Sequence, residues 1–360
     1  MHSFRILNRL ILRDILATLS CYNFMGSKMA DKKNTFVLNK NSRIEDNQRL
    51  SAKAKKRLEK SKADNTMKAY YADWRDFADW CDYHHERALP ALPETIVNYM
   101  NDLADEAKAN TVSRRVTAIS ENHIAAGFTG EKNPAKAGIV RAAMSAIRRE
   151  KGTFQRGKTP ILLETLYRIS SFFDEDDIVS LRDRALILLG FSGAFRRSEL
   201  VRIKGEDLEF TLQGVVIFIP QSKGDQYGQG SKIAIPYAPD DKICAVTALL
   251  KWLSASGIHY GPIFRPFTKY HELRNTQLSD KSVALIVKKY AKLAGFNPAQ
   301  FAGHSLRRGF ATSAAQHDVD ALSIMRQTRH KSEKMVHRYI EQGNLFKENP
   351  LNRMYGDKWR

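Results

Sequence analysis

The chain has 360 residues, of which 43% are apolar and 27% are charged, so it can build real hydrophobic cores and is not disordered throughout. Its 58 Lys and Arg residues against 39 Asp and Glu residues give a formal charge of +19. This excess indicates a polyanionic partner, because cationic side chains neutralise phosphates. No run of about 18 apolar residues is present, which excludes a membrane span. Without a CxxC pair, the cysteines exclude a disulfide framework and a zinc site and favour a reducing compartment. They are Cys21, Cys81 and Cys244.

The first 50 residues show no sustained periodicity and are predicted to form a flexible basic leader and arm. Residues 1–28 contain Arg5, Arg9 and Arg13 with a single acid. This composition fits a transit peptide. It also fits a leader upstream of the true start, which would then be Met29. Both interpretations stay open, and we assign this segment no function.

Residues 51–150 are predicted to form a small all-helical bundle, because four segments carry apolar residues at steps of three and four. The first helix follows Asn65, the second has Pro93 in its first turn, the third follows Asn110, and the fourth runs from Pro134 and ends just before Gly152. The four apolar stripes consist of Met67, Tyr70, Trp74, Phe77 and Cys81; of Ile96, Met100 and Leu103; of Val112, Val116, Ile119 and His123; and of Ile139, Ala143, Met144 and Ile147.

Residues 151–160, KGTFQRGKTP, have two glycines and a proline and little to bury, which predicts an exposed interdomain linker. Beyond it we expect a mostly helical domain around one small antiparallel sheet. Helical patterns occur at residues 177–189, 245–254, 280–294, 304–315, 321–326 and 332–339. Two β-rich segments, residues 208–219 and 232–237, flank a hairpin with the long tip SKGDQYGQGS.

Residues that can carry chemistry concentrate in this second domain. His304 and Arg307 lie three residues apart and share one helix face. An imidazole beside a guanidinium suits a phosphoryl centre, because the planar fork binds two oxygens while histidine transfers a proton. Arg196 follows a Ser-Gly turn, and Lys223 begins the hairpin tip, from which a lysine can protonate a leaving oxygen. On the residues alone, Arg196 and Lys223 have a plainer interpretation as solvated surface residues, and Tyr339 has one as a core residue.

Taken in chain order, six residues supply two anion-binding forks, a proton donor, two imidazoles and a phenol. They are Arg196, Lys223, His304, Arg307, His330 and Tyr339. This order, with the local sequences GAFRRSEL, HSLRRGFAT and RQTRHKS ahead of the tyrosine, resembles the tyrosine recombinases, also called the phage integrase family. The resemblance covers residues 161–346 and, more loosely, the helical bundle, whose Trp74, Trp80 and LPALPETIVNYM stretch look Cre-like.

The resemblance implies a mainly α fold with a small antiparallel sheet in the catalytic domain. It divides the chain into the leader, a SAM-like core-binding bundle at residues 51–150, the linker, a catalytic domain at residues 161–342 and a protomer-docking tail at residues 343–360. The implied function is site-specific recombination of double-stranded DNA, in integration, excision or resolution, through a 3′-phosphotyrosyl intermediate and a Holliday junction. A homotetramer on synapsed DNA, no metal or other cofactor, and a cytoplasmic, nucleoid-associated location are expected. Integration of a phage or mobile element, resolution of chromosome dimers and plasmid maintenance all stay open as the biological role.

Carried over residue by residue, the family pattern makes Tyr339 the nucleophile and gives Arg196 and Arg307 the non-bridging phosphate oxygens. His304 corresponds to an acid/base partner near the phosphate. His330 corresponds to the His-or-Trp position that orients the phosphate by a hydrogen bond.

Lys223 corresponds to the general acid that protonates the 5′-oxygen, and Lys232 is its rival because the hairpin tip is longer than the short turn common in the family. Arg197 and Arg308 depart from the pattern, since other members often carry an apolar residue and a histidine there. On helices expected to face DNA, three residues are candidates for phosphate or base contacts, with a solvated helix face as the alternative. They are Lys68, Arg114 and Arg115.

Other functions use the same residue types. A type IB topoisomerase and a telomere-resolving enzyme share the phosphotyrosine step and differ in what happens to the DNA ends. A non-catalytic DNA- or RNA-binding protein would not need a phenol at Tyr339. A metal-dependent nuclease is disfavoured because the pair His84-His85 lacks partner ligands at a useful spacing.

Overall fold

The computed structural model describes residues 64–154, 157–220, 229–330, 332–344 and 350–355, together with Ser51 and Lys53. The chain divides into two compact units, Met1–Gln155 and Arg156–Arg360. This division falls within the predicted linker, whereas the predicted limits of the individual domains stay predictions. Among the described residues, no helix is long and apolar enough to cross a lipid bilayer.

The first unit is helical within residues 64–154. Its helices are α1 (Asp64–Tyr83), α2 (Pro93–Glu106), α3 (Ala109–Ala125) and α4 (Gly138–Lys151), with 3-10 turns at Gly130–Lys132 and Pro134–Lys136. Their apolar faces meet in one core, in which the rings of Trp74 and Phe77 pack edge to face with centroids 5.6 Å apart. The predicted amphipathic helices are thus confirmed, and their apolar stripes hold the unit together.

The fourth helix differs from its prediction. It begins at Gly138, after a 3-10 turn, and buries Val140, Met144 and Ile147, whereas Ile139 is 47% exposed. The assignment of Ile139 to the apolar stripe is therefore wrong. Adjacent residues point about 100° apart on a helix, and because Ile139 and Val140 are both apolar, the sequence alone did not distinguish which of them faces inward.

The second unit is mostly helical and contains one small sheet. The helices are α5 (Leu163–Ser170), α6 (Ile178–Ser192), α7 (Arg197–Leu200), α8 (Ala245–Ser256), α9 (Asp280–Leu293), α10 (His304–Gln316), α11 (Ala321–Thr328), α12 (Glu333–Asn344) and α13 (Pro350–Tyr355), with 3-10 turns at Gly205–Asp207 and Pro298–Gln300. Helix α6 is buried around nearly its whole circumference and packs against α8 and α10. The carboxylate of Asp177 caps it by accepting the backbone N–H groups of Val179 and Ser180.

The sheet of the second unit consists of β1 (Leu208–Thr211), β2 (Gly214–Ile219) and β3 (Ser231–Pro236), antiparallel and in that order. The β-rich segment predicted at residues 208–219 is two strands, because the chain reverses at Leu212 and Gln213. Opposite each other in the register, Ile217 and Ile233 both face the core, as the alternation of a half-buried sheet requires. The predicted small antiparallel sheet is confirmed.

Parts of the prediction lie outside the described residues. These are the leader and arm at residues 1–50, residues 52 and 54–63 of the bundle, residues 155–156 of the linker, residues 221–228 of the hairpin tip with Lys223, residue 331, and residues 345–349 and 356–360 of the tail. The tail's helix α13 is described, and its Leu351 and Met354 are both exposed.

Helix α10 approaches the backbone at Ile161 so closely that there is no room for a side chain at position 309, which is glycine. An added Cβ at Gly309 would overlap the carbonyl group of Ile161. One turn earlier, the carbonyl oxygen of Ser305 accepts the N–H of Ile161 at 2.9 Å. This contact fixes the helix that carries Arg307.

We expect Gly309→Ala to lower the free energy of unfolding of the second unit by about 1–3 kcal/mol, because overpacking a filled contact forces the backbone apart. Thermal denaturation measures this loss. Gly138→Ala is the control, since no described atom lies within 4 Å of its added Cβ and alanine favours helix over glycine. A melting temperature of Gly309→Ala equal to that of the wild type would contradict the close packing.

Candidate active site

Four elements of the second unit carry the predicted site residues that the structure describes. Arg196 directly precedes α7, His304 and Arg307 lie on α10, His330 follows α11, and Tyr339 lies on α12. The charges of Arg196 and Arg307 act on each other and on His330, and the charge of Arg307 interacts with Tyr339. His304 is exposed at the start of α10, one turn before the buried Arg307.

The carboxylate of Glu199 is the centre of this cluster. Its side chain is buried, and its Oε1 accepts a hydrogen bond from Nη1 of Arg196 at 2.6 Å. Its Oε2 accepts the backbone N–H of Arg196 at 2.9 Å and Nη2 of Arg329 at 2.9 Å. Burial raises the pKa of this carboxyl, but Arg329 and then Arg196 outweigh burial and hold the pKa below its ordinary value. Glu199 is therefore a buried anion that orients two guanidinium groups.

Sequence reasoning missed Glu199 and Arg329. Glu199 stands three residues after Arg196, the spacing of a capping box, and this spacing was the one local signal available. Arg329 lies in the quoted RQTRHKS sequence directly before His330, but its partners Gly193 and Glu199 lie more than 100 residues away in the chain. No local pattern reveals such contacts.

Arg307 is buried with incomplete hydrogen bonding. Its Nη1 donates to the carbonyl oxygen of Ala194 at 2.8 Å, while Nη2 is buried and has no hydrogen-bond partner among the described residues. Burial, followed by repulsion from Arg196 and Arg329, lowers the pKa of Arg307 to about 9. The group stays cationic at neutral pH, so an anion that reaches Nη2 gains both a charge and a hydrogen bond.

His330 is held as a neutral imidazole. Its Nδ1 lies 2.7 Å from Oγ1 of Thr328, and the hydroxyl of Thr328 donates its proton to the carbonyl oxygen of Ile324 at 2.6 Å. Burial, followed by the charges of Arg307, Arg196 and Arg329, lowers the pKa of His330 to about 4. The hydroxyl fixes the ring plane, and the surrounding cations keep the ring unprotonated at neutral pH.

Tyr339 stacks on this imidazole. The ring centroids of His330 and Tyr339 are 5.8 Å apart with an interplanar angle of 26°. Its helix packs on α10 through Val336, which is buried against Ala311 and Ala315. A half-buried phenol is thereby placed beside the arginine cluster by residues of the same unit.

This arrangement is suited to phosphoryl chemistry. Three guanidinium groups surround a single carboxylate, so the cluster carries excess positive charge in a partly dry environment, where electrostatic stabilisation is strong. A phenol beside such a cluster can attack a phosphorus atom whose oxygens the arginines hold. Within the described residues, no group of three or more His, Cys, Asp and Glu side chains is placed to bind a metal ion.

The rival proton donors differ in what the structure says of them. Lys223 lies outside the described residues. Lys232 is described: it is exposed on β3, and its Nζ lies 3.9 Å from Oε2 of Glu209 on β1. The choice between the two lysines stays open.

The predicted DNA contacts lie on the first unit. Lys68 is exposed on α1, and Arg114 and Arg115 lie on α3. Both arginines are engaged within the unit: Arg114 pairs with Asp73 and Arg115 with Asp76. Their role as DNA contacts remains a prediction, and a phosphate would have to compete with these carboxylates.

One mainly helical unit thus brings together an arginine cluster, a histidine and a tyrosine, the residue types that the resemblance to the tyrosine recombinases predicts for its active site. Residues 162–344 match the family described as "Phage integrase family". The chain therefore belongs to the phage integrase family of tyrosine recombinases, which cleave and rejoin DNA. The predicted family, fold class and type of enzyme are confirmed.

Two relatives illustrate this membership. The chain is 75% identical over 323 residues to the "Integrase/recombinase xerD homolog" of Selenomonas ruminantium, an alignment that spans 90% of this chain and 95% of that protein. It is 23% identical over 298 residues to "Recombinase cre" of Escherichia phage P1, spanning 77% of this chain and 84% of the other.

Solved structures show the same fold. The XerH recombinase bound to difH in its post-cleavage complex superimposes with a TM-score of 0.56 at 16% identity, covering 80% of this chain and 78% of that one. The Tn1549 transposon integrase in complex with transposon right-end DNA superimposes with a TM-score of 0.56 at 14% identity, covering 89% of this chain and 100% of that one. A lambda integrase dimer bound to a core site superimposes with a TM-score of 0.52 at 18% identity, covering 79% of this chain and 74% of that one.

The depressed pKa of His330 predicts acid sensitivity. As pH falls from the ordinary value of 6.5 toward about 4, the unfolded chain takes up a proton that the folded chain refuses, so stability falls through this window. The loss is on the order of 3 kcal/mol at most. Chemical denaturation at pH 7 and pH 4.5 measures it, and His330→Asn should lose less stability between the two values.

The exposed His337 on α12 provides the control, and His337→Asn should follow the wild type at both pH values. An unchanged acid sensitivity in His330→Asn would contradict the burial of a neutral imidazole at this position.

Proposed function

We propose that this chain is a site-specific recombinase that cleaves and rejoins double-stranded DNA with Tyr339 as its nucleophile. The observation that carries this proposal is that Tyr339 stacks on His330 beside Arg307 and Arg196, while the buried carboxylate of Glu199 holds Arg196. The phenol oxygen forms a bond to the scissile phosphorus as the bond to the 5′-oxygen breaks. The products are a 3′-phosphotyrosyl linkage and a free 5′-hydroxyl, and reversal by another 5′-hydroxyl rejoins the strand.

Arg196 and Arg307 hold the non-bridging oxygens in this scheme. Glu199 aligns Arg196, and Nη2 of Arg307 is the donor that a phosphate oxygen would satisfy. Negative charge grows on these oxygens in the transition state, so fixed guanidinium donors stabilise it more than the ground state.

The remaining proposed catalytic residues move or direct protons. His304 acts as an acid/base partner near the phosphate, and Lys223 protonates the departing 5′-oxygen, with Lys232 as the alternative donor. In this scheme His330 orients the phosphate through a hydrogen bond. The phosphotyrosyl linkage retains the energy of the phosphodiester, so the proposed scheme calls on no cofactor.

Cleavage is proposed to occur in cis. Tyr339 stacks on His330 of its own chain, and α12 packs on the helix that carries Arg307. Strand exchange through a Holliday junction would then need four such sites on two synapsed duplexes, in a homotetramer joined by the tails at residues 343–360. We further propose that Lys68, Arg114 and Arg115 of the core-binding bundle contact the duplex and that the protein associates with the nucleoid.

Tyr339→Phe is expected to abolish the covalent protein–DNA adduct on a nicked suicide substrate while duplex binding survives, because only the attacking oxygen is removed. Denaturing gel electrophoresis detects the adduct, and a mobility shift assay measures binding. Tyr270→Phe, at an exposed tyrosine of the same unit, is the matched control and should form the adduct normally. Adduct formation by Tyr339→Phe would remove this tyrosine as the nucleophile.

Lys223→Ala is expected to slow cleavage about 100-fold or more, because the 5′-alkoxide then leaves without a proton. A substrate with sulfur at the 5′-bridging position should restore the rate, since a thiolate leaves without protonation. Lys232→Ala is the parallel variant. If sulfur rescues Lys232→Ala and leaves Lys223→Ala slow, Lys232 is the general acid.

A further inference from the structure

Arg329 occupies a backbone conformation that arginine rarely adopts. It ends α11 with φ of 55°, in the left-handed region where glycine fits without strain. Its side chain is almost fully buried. A long cationic side chain at such a position must be stabilised by what its guanidinium contacts.

The guanidinium of Arg329 joins three segments. Its Nη2 donates to Oε2 of Glu199 at 2.9 Å and to the carbonyl oxygen of Ala194 at 3.3 Å. Its Nη1 donates to the carbonyl oxygens of Gly193 at 3.2 Å and of Gln327 at 3.1 Å. The planar group also lies over the ring of Phe195, 5.1 Å from its centroid. Both terminal nitrogens are thus bound to acceptors of the protein.

Two of these acceptors also hold the proposed phosphate-binding arginines. Glu199 binds Arg196 through its other oxygen. The carbonyl oxygen of Ala194 accepts Nη1 of Arg307 at 2.8 Å, and Ala194 is itself in the left-handed region with φ of 45°. Arg329 therefore touches the partner of each arginine and locks the loop that precedes α7.

We propose that Arg329 is a positioning residue that fixes the relative positions of the Arg196 and Arg307 guanidinium groups. It does so by clamping the carboxylate of Glu199 and the carbonyl oxygen of Ala194. The inference rests on the proposed function and deepens it. Arg329 acts through the other two arginines, because its own Nη1 and Nη2 are engaged by the protein.

The clamp also shapes the pH dependence of the site. The charged groups that act on Glu199 and His330 are Arg196, Arg307 and Arg329, and the titratable phenol of Tyr339 stacks on His330. The charge of Arg329 lowers the pKa of Glu199 and contributes to the lowered pKa of His330. Without it both pKa values rise, so both groups take up protons at a higher pH and the acid limb of the cleavage profile moves upward.

Arg329→Gly tests the clamp without straining the backbone, since glycine fits the left-handed conformation. We expect single-turnover cleavage of a suicide substrate to slow by about 10- to 100-fold, because small misplacements of catalytic groups cost that much. The Kd for the duplex should stay close to that of the wild type. Melting temperatures of all variants show whether the unit is folded at the assay temperature.

His271→Gly is the matched control, because His271 is an exposed residue of the same unit with φ of 62°; it should cleave like the wild type. Arg329→Lys restores the charge without the planar fork, so it should return the acid limb toward its wild-type position while recovering the rate only in part.

Three results would overturn the clamp: a wild-type rate in Arg329→Gly, a loss confined to duplex affinity, or an acid limb that does not move. The proposed function fails separately. If the wild type forms no adduct, or Tyr339→Phe still forms it, the chemistry itself is wrong, whereas failure of the clamp leaves the Tyr339-dependent adduct of the wild type intact.

Discussion

The site depends on one buried ion-pair network, in which the Glu199 carboxylate binds Arg196 on one oxygen and Arg329 on the other. Placing several guanidinium groups close together in a poorly solvated region is unfavourable unless an anion compensates their repulsion. Glu199 provides that compensation before any substrate arrives. It offsets only part of the charge, so the cluster keeps the excess that attracts a phosphate. Burial first, and then this excess of positive charge, lowers the pKa values of Arg307 and His330.

The scaffold keeps this network rigid through apolar packing. Helix α6 is buried on nearly all sides and ends just before the loop that leads to Arg196. Helix α10 lies against the backbone at Ile161, a contact that is possible because Gly309 has no side chain. This contact fixes the position of α10 and therefore of Arg307. The polar groups are therefore positioned by contacts that have little freedom to adjust, and Tyr339 enters the same frame through the packing of α12 on α10.

Much of this could be predicted from the sequence, for reasons that differ between its parts. Local periodicity predicts amphipathic helices such as α1, and the spacing of His304 and Arg307 places both on one helix. Ile139 was misassigned because two neighbouring apolar residues satisfy the same pattern. Glu199 and Arg329 were missed because their importance lies in contacts between distant segments and in a left-handed backbone, neither of which is a local property.

The sequence separation within the network has a consequence for folding. The hydrogen bonds from Arg307 to Ala194 and from Arg329 to Glu199 span 113 and 130 residues. Contacts of such range form only after large loops have closed, so they belong to the late, cooperative part of folding. In the proposed scheme, a chain that has not closed these loops has no assembled anion site beside Tyr339. DNA cleavage by that scheme would therefore await the completion of folding.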